Sequence, residues 1–239
     1  MNAAIDNPRY SIHVRGLTRA YRMPESSQTF NALDLPCLDA EGGDRLALAG
    51  PSGSGKTTLL NIIAGLLTPT TGTVHVNGEE ITAMGERQRD RFRAANVGIV
   101  FQSFNLLPAF NAVENVTIAM DLAGKIPGKQ RREAAENLLL SLGLESRLRH
   151  KPGQLSVGEQ QRVAVARALA NSPSIILADE PTASVDPRTR EVVVERLFEA
   201  NRTTGAILIV ATHDQSLHSL FDRVIKLEMT PASAIGASR

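Results

Sequence analysis

The sequence predicts an α/β fold: a parallel sheet buried on both faces, antiparallel strands ahead of it, and an inserted helical lobe. Three observations predict this. Four apolar runs, at residues 46–49, 97–101, 175–178 and 206–211, are continuous rather than alternating, as strands covered on both faces require. Stretches with helical spacing lie between them. Over residues 103–155 the pattern changes to helical spacing alone, with no strand-like run.

Each element follows in order. Residues 11–15 read as a short β-like piece, and turn residues up to Gly43 suggest further antiparallel strands. The run Leu46-Ala47-Leu48-Ala49 leads into Gly50-Pro51-Ser52-Gly53-Ser54-Gly55-Lys56-Thr57, and a helix is expected over 55–66. The run at 97–101 ends at Gln102. Beyond it, Val113, Val116, Ala119 and Leu122, then Ala134, Ala135, Leu138, Leu139 and Leu142, mark two helices with one apolar face each. Ser156-Val157-Gly158-Glu159 opens another helix. The run at 175–178 ends at Asp179-Glu180, Asp186-Pro187 starts a helix over 187–202, and the run at 206–211 ends at Thr212-His213. The reading is one domain, 1–229, with a sheet core over 1–102 and 156–229, a helical subdomain over 103–155, and a frayed tail over 230–239. In open α/β sheets ligands bind beyond the carboxyl ends of the strands. Four strands that each end in polar residues would gather those residues at one edge.

Composition excludes several classes. A net charge of +1 provides no broad basic field, so nucleic acid is not the expected partner. The lone Cys37 rules out an internal disulfide framework and fits a reducing compartment; it reads as a small buried filler in an irregular stretch. No apolar run approaches the ~20 residues that cross a bilayer, and residues 1–10 lack the apolar core of a secretion signal. Any membrane work is therefore expected to go through another chain.

The stretch Gly50 to Thr57 matches G-x-x-x-x-G-K-[ST], the phosphate-binding loop. A chance match in a chain of this size is on the order of 1%. The glycines let backbone N–H groups turn toward the α- and β-phosphates. Lys56 can reach the β/γ oxygens, and the Thr57 hydroxyl can ligate Mg²⁺. The carboxylates after the buried strand can divide labour. Asp179 would hold Mg²⁺, directly or through water, and Glu180 would polarise an attacking water. Ser156 with Glu159 three residues on is a capping box, and the helix start it builds can also bind a phosphate. Asp186 is an N-cap before Pro187. Read alone, His213 is an ordinary surface histidine and Tyr21 a packing residue.

In order along the chain, Gly50 to Thr57, Gln102, Leu155 to Glu159, Asp179-Glu180, Asp186 and His213 resemble the ATP-binding cassette ATPase domain, a P-loop NTPase fold. The resemblance spans residues 11–227. It implies that Tyr21 stacks on adenine and that Gly50 to Thr58, with Pro51, Ser52, Gly53, Ser54, Gly55, Lys56 and Thr57 between, wrap the phosphates of ATP. It also implies that Gln102 touches Mg²⁺ or the attacking water, that Glu180 is the catalytic base, and that His213 contacts the γ-phosphate. Residues 183–186 resemble the loop that communicates across a dimer. Ser156, Gly158 and Glu159 would act in trans, in a head-to-tail dimer with this chain or a homologous subunit. Val157 stands where the family usually has glycine; being β-branched, it must take an ordinary backbone conformation, or else the contact in trans is weakened.

Within the family, residues 100–108, 113–116 and 158–162 look like the branch of lipoprotein-releasing, macrolide-export and cell-division ATPases. The implied function is a peripheral ATPase subunit on the cytoplasmic face of the membrane, driving separate transmembrane permease subunits that dock near Phe104 to Asn115. The alternatives are a non-transport complex, either cell-division-type mechanical signalling or phosphonate metabolism. A soluble cassette acting on DNA or ribosomes would carry a coiled-coil insert or tandem cassettes, and neither is here.

Overall fold

The computed structural model describes residues 10–22, 29–183 and 185–229. Strands β1 (Ser11–Arg22) and β2 (Thr29–Glu41) pair antiparallel, with Ile12 opposite Ala40 and Val14 opposite Leu38. Strand β3 (Arg45–Ala49) begins a second sheet and leads into α1 (Lys56–Ile63). The chain then returns through β4 (Thr71–Val76) and β5 (Glu79–Glu80), which complete a four-stranded antiparallel sheet in the order β2-β1-β4-β5.

Helix α2 (Glu86–Asn96) carries the chain to β6 (Val97–Val100). The helical lobe follows as α3 (Ala112–Ala123) and α4 (Gly128–Ser141). Helix α5 (Val157–Leu169), β7 (Ile175–Asp179), α6 (Pro187–Thr204), β8 (Ile207–Ala211) and β9 (Arg223–Lys226) complete the chain. The second sheet has the order β6-β7-β8-β3-β9, and its described pairings are parallel.

Alternate residues of a strand face opposite sides, and here both sides are covered. Ile175, Leu177, Ile207 and Ile209 pack with Leu59 and Ile63 of α1 and with Ile12, Val14 and Leu17 of the antiparallel sheet. Ile176, Ala178, Leu208 and Val210 pack with Val113, Val116 and Met120, Leu139 of α4, and Val163 and Val193 of α5 and α6. This two-sided burial is why the runs carry no polar alternation.

Several sequence expectations need correction. A fifth parallel strand, β9, has no apolar run because it is an edge strand left open, with Arg223, Val224 and Lys226 exposed, whereas β6 at the opposite edge is covered by α5 and α2. Strand β4 and the strongly polar α2 also left no signal in the apolar pattern. Helix α1 ends at Ile63, not at Leu66. Leu122 keeps the apolar spacing of α3 but is 74% exposed. Cys37 is neither buried nor in an irregular stretch. It is an exposed residue of β2, opposite Arg15, and Pro36 is tolerated beside it because β2 is an edge strand. The tail, residues 230–239, and Ser184 of the 183–186 loop lie outside the described residues.

Helix α5 lies directly against β6. A Cβ on Gly98 would sit 2.2 Å from the Ala168 carbonyl oxygen, a contact that no side chain allows. We expect Gly98→Ala to cost about 1–3 kcal/mol through overpacking. At about 2–4 °C per kcal/mol for a chain of this size, a thermal melt resolves the loss. An unchanged melting temperature would contradict this contact.

Candidate functional site

The polar ends of β3, β6, β7 and β8 do converge. Gly50, Lys56, Thr57, Gln102, Asp179, Glu180 and His213 line one cavity of about 500 Å³, together with Pro51, Ser52, Gly53, Gly55, Thr58, Phe30 and Ala32. The loop from β3 to α1 forms its floor. Gly50 has φ of 152°, and a Cβ there would lie 2.3 Å from the Leu227 carbonyl oxygen. Gly55 is the N-cap of α1 with φ of 92°, and a Cβ there would lie 2.4 Å from the Ala32 carbonyl oxygen. With glycine at the cap, no side chain occupies the helix start. The first backbone N–H groups of α1 have no intrahelical acceptor and sit at the positive end of the helix dipole. The loop therefore fits an anionic group such as a phosphate. Lys56 curls back along it, its Nζ donating to the carbonyls of Gly50 (2.8 Å) and Pro51 (2.9 Å). Ser54 is buried beneath, its Oγ without a partner among the described residues.

Across the cavity, Thr57 Oγ1 donates to Asp179 Oδ2 at 2.7 Å. Burial pushes the Asp179 carboxyl above its usual range and neighbouring Glu180 adds to the rise, while the Thr57 hydrogen bond and Lys56 oppose it. A hydroxyl and a single carboxylate are hard oxygen donors. Among the described residues no group of three or more His, Cys, Asp or Glu could hold a metal. A cation here would draw its remaining ligands from phosphate and water, which is the habit of Mg²⁺ rather than of an all-protein cage.

Glu180 has φ of 48°, a left-handed conformation uncommon for a non-glycine residue. It turns the chain at the end of β7, and its own N–H donates to the Ala211 carbonyl at 2.9 Å. Its carboxylate is largely covered, 12% exposed, and pairs with Nδ1 of His213 at 2.8 Å; His213 itself is 69% exposed. Backbone strain of this kind is held in place by its surroundings and gathers at working sites.

The remaining predicted residues lie elsewhere. Ser156, Gly158 and Glu159 do not line this cavity. They form the expected capping box at the start of α5: Ser156 Oγ accepts from Glu159 N at 3.2 Å, and Glu159 Oε2 accepts from Ser156 N at 2.8 Å. The second Glu159 oxygen accepts from Arg147 Nε at 2.7 Å. The Ser156 bond and then Arg147 hold the Glu159 carboxyl below its usual range despite burial. Glu159 is thus fully engaged, in the cap through Oε2 and its N–H and with Arg147 through Oε1, which leaves the N–H groups of Val157 and Gly158 as the free donors. Val157 is the first residue of α5, in ordinary helical backbone, with its side chain exposed. Gly158 needs no positive φ. It is small because a Cβ would come within 2.8 Å of Thr189 Oγ1. Asp186 caps α6 as expected, accepting from the N–H groups of Arg188 and Thr189.

Tyr21 does not line the cavity either. It stacks on Phe30, with ring centroids 5.8 Å apart, and the Arg19 guanidinium lies 4.6 Å from its centroid. Phe30 is the aromatic residue at the cavity wall. Nothing in its sequence context marks it, because only the β1–β2 pairing sets it beside Tyr21.

Known proteins resemble this chain over most of its length. The ABC transporter family model matches residues 35–183. An uncharacterized ABC transporter ATP-binding protein of Mycobacterium tuberculosis is 43% identical over 217 residues, 91% of this chain and 86% of that protein. The lipoprotein-releasing system ATP-binding protein LolD 2 of Caulobacter vibrioides is 44% identical over 223 residues, 90% of this chain and 93% of that one. Among solved structures, the ATP-binding cassette MJ0796, a dimer in a post-hydrolysis state bound to ADP and Pi, superimposes with a TM-score of 0.85 at 37% identity. It covers 95% of this chain and 100% of that one.

The raised Asp179 carboxyl sets a pH dependence. Its folded form holds a proton more tightly than the unfolded chain does, so stability falls as pH rises from the unfolded carboxylate value through the raised one. Asp179→Asn keeps an acceptor for Thr57 and removes the charge. We expect the nucleotide-free variant to melt higher than the parent at pH 7, with the gain vanishing at or below about pH 4. Parallel melting curves across that range would contradict the assignment.

Proposed function

This chain belongs to the ABC transporter family, and from that premise we propose how its residues carry the family's chemistry. It is an ATP-binding, ATP-hydrolysing subunit that dimerises and works with membrane permease subunits. The observation that carries the residue assignment is the convergence of Lys56, Thr57, Gln102, Asp179, Glu180 and His213 on one glycine-floored cavity. The uncapped start of α1 takes the phosphates of ATP, and Lys56 exchanges the carbonyls of Gly50 and Pro51 for β/γ oxygens. Phe30, backed by Tyr21, offers an aromatic face for the base.

Thr57 and Asp179, with Gln102 at the rim, would hold Mg²⁺. When bound, that ion would neutralise charge on the transferred phosphoryl group. Glu180 is the general base: its carboxylate faces the cavity and is oriented by His213. His213, largely exposed, can exchange that contact for the γ-phosphate.

The dimer is head-to-tail. Ser156 and the free N–H groups of Val157 and Gly158 lie outside the cavity of their own protomer, which suits contact with ATP held by a partner. For scale, moving an open/closed equilibrium from 1:99 to 99:1 needs about 5.5 kcal/mol of differential binding. Contacts to one γ-phosphate from both protomers exist only in the closed state, so they act entirely on that equilibrium.

Two features support a permease contact over residues 104–115 and beside it. Leu107 and Phe110 are exposed on a loop held by buried Asn115, which accepts from Leu107 N at 2.8 Å and donates to the carbonyls of Leu107, Phe110 and Asn111 at 3.0–3.2 Å. Next to that loop, Leu66, Ile99, Phe101, Ala119 and exposed Leu122 line an apolar groove of about 530 Å³. No helix among the described residues is long and apolar enough to cross a membrane. Attachment at the cytoplasmic face would thus run through this surface. The LolD relatives do not favour a non-transport complex.

Glu180→Gln tests the base. We expect MgATP binding to persist, kcat to fall about 10²- to 10⁴-fold, and an ATP-dependent dimer to accumulate on gel filtration. Turnover at the parental rate would remove Glu180 from that role. Mixing Ser156→Arg protein with parent tests action in trans. Mixed dimers should lose activity at sites completed by the altered serine, so activity should fall below the sum of the two components, and strictly additive activity would contradict a shared site.

A further inference from the structure

Arg167, in the last turn of α5, is a cation without a counter-ion. Among the described residues it pairs with no carboxylate, and burial alone pushes its guanidinium below the usual arginine range. Its two terminal nitrogens instead donate to successive backbone carbonyls, NH2 to Phe104 at 2.6 Å and NH1 to Asn105 at 2.5 Å. Those two residues are also unusual. Phe104 has φ of 59° and Asn105 of 50°, adjacent non-glycine residues in the left-handed region. Asparagine tolerates that conformation, but a bulky phenylalanine does not. The turn begins two residues after Gln102 and is tightened by Asn105 N donating to Ser103 O at 2.6 Å.

We propose that Arg167 is a positioning residue for ATP hydrolysis. It holds the left-handed turn at Phe104-Asn105, thereby sets where Gln102 enters the nucleotide cavity, and ties that loop to the helix that starts at Ser156. The planar guanidinium suits the task because its separate N–H groups reach two carbonyls at once, which a lysine ammonium cannot match. Helix α5 spans about 16 Å between Ser156 and Arg167 at 1.5 Å per residue. Motion of the helix's Ser156 end is therefore passed rigidly to the Gln102 loop and to the surface that follows it. This inference rests on the ATPase assignment above.

The test compares Arg167→Met, Arg167→Lys, and Arg167→Met with Phe104→Gly. A misplacement near 1 Å can cost about 10²-fold in rate, so kcat in Arg167→Met should fall at least ~10-fold. The affinity of a single protomer for a fluorescent ATP analogue should stay within about twofold of the parent. Arg167→Lys should fall between the two. Glycine adopts the left-handed turn without strain, so adding Phe104→Gly should recover a large part of the lost kcat. A parental kcat in Arg167→Met, or a joint loss of affinity and kcat that glycine does not restore, overturns the proposal. Should Arg167→Met fail to fold, Arg167→Lys with and without Phe104→Gly decides it by the same readings. Absence of ATPase activity in the parent overturns both this inference and the assignment it rests on, whereas a parental rate in Arg167→Met overturns the Arg167 assignment alone.

Discussion

The site depends on one close backbone fit. The loop between β3 and α1 is wedged between two carbonyl groups, that of Leu227 just past the parallel sheet's edge strand and that of Ala32 in the antiparallel sheet. At both contacts only a residue without a Cβ fits, and both glycines take backbone angles that other residues avoid. The loop is therefore positioned by two separate sheets before any ligand arrives. An anion site made of backbone donors works only if those donors are already aimed, because reorganising them would use up binding energy.

The charged groups around the loop sit in environments that hold them in distinct roles. Burial makes Asp179 reluctant to ionise, so a cation held beside it would relieve an existing cost. Glu180 sits on a strained turn with His213 against it. Glu159, by contrast, is stabilised as a carboxylate by the cap and by Arg147, and its work is to build a helix start. Three acidic residues that look alike in the chain are thus separated by desolvation, backbone strain and capping.

A second theme is polar side chains that fix loops by binding backbone carbonyls. Asn115 builds the Leu107 to Asn111 turn, Arg167 builds the turn at Phe104, and Asn201 ties the carbonyls of Gly43, Asp44 and Ala206 together at the end of α6. Each such bond replaces water on an acceptor that would otherwise be buried unpaired. Two of the three bind carbonyls of the segment that joins the nucleotide cavity to the exposed apolar surface.

By itself the sequence determined four of the five parallel strands, the phosphate loop, both helix caps at Ser156 and Asp186, and the carboxylate pair, because each depends on neighbours within a few residues: a run covered on both faces, a glycine before a helix, a hydroxyl three residues from a glutamate. Only the tertiary structure decided the rest. β9 is a strand because β3 offers it an edge, not because its residues are apolar. Phe30 rather than Tyr21 reaches the cavity because strand pairing sets their order. Leu122 is exposed and Cys37 unburied because nothing among the described residues packs over them. Arg167 finds its carbonyls more than sixty residues away. Contacts between distant segments leave no local pattern, since either partner could have been chosen only once the sheets had closed around it.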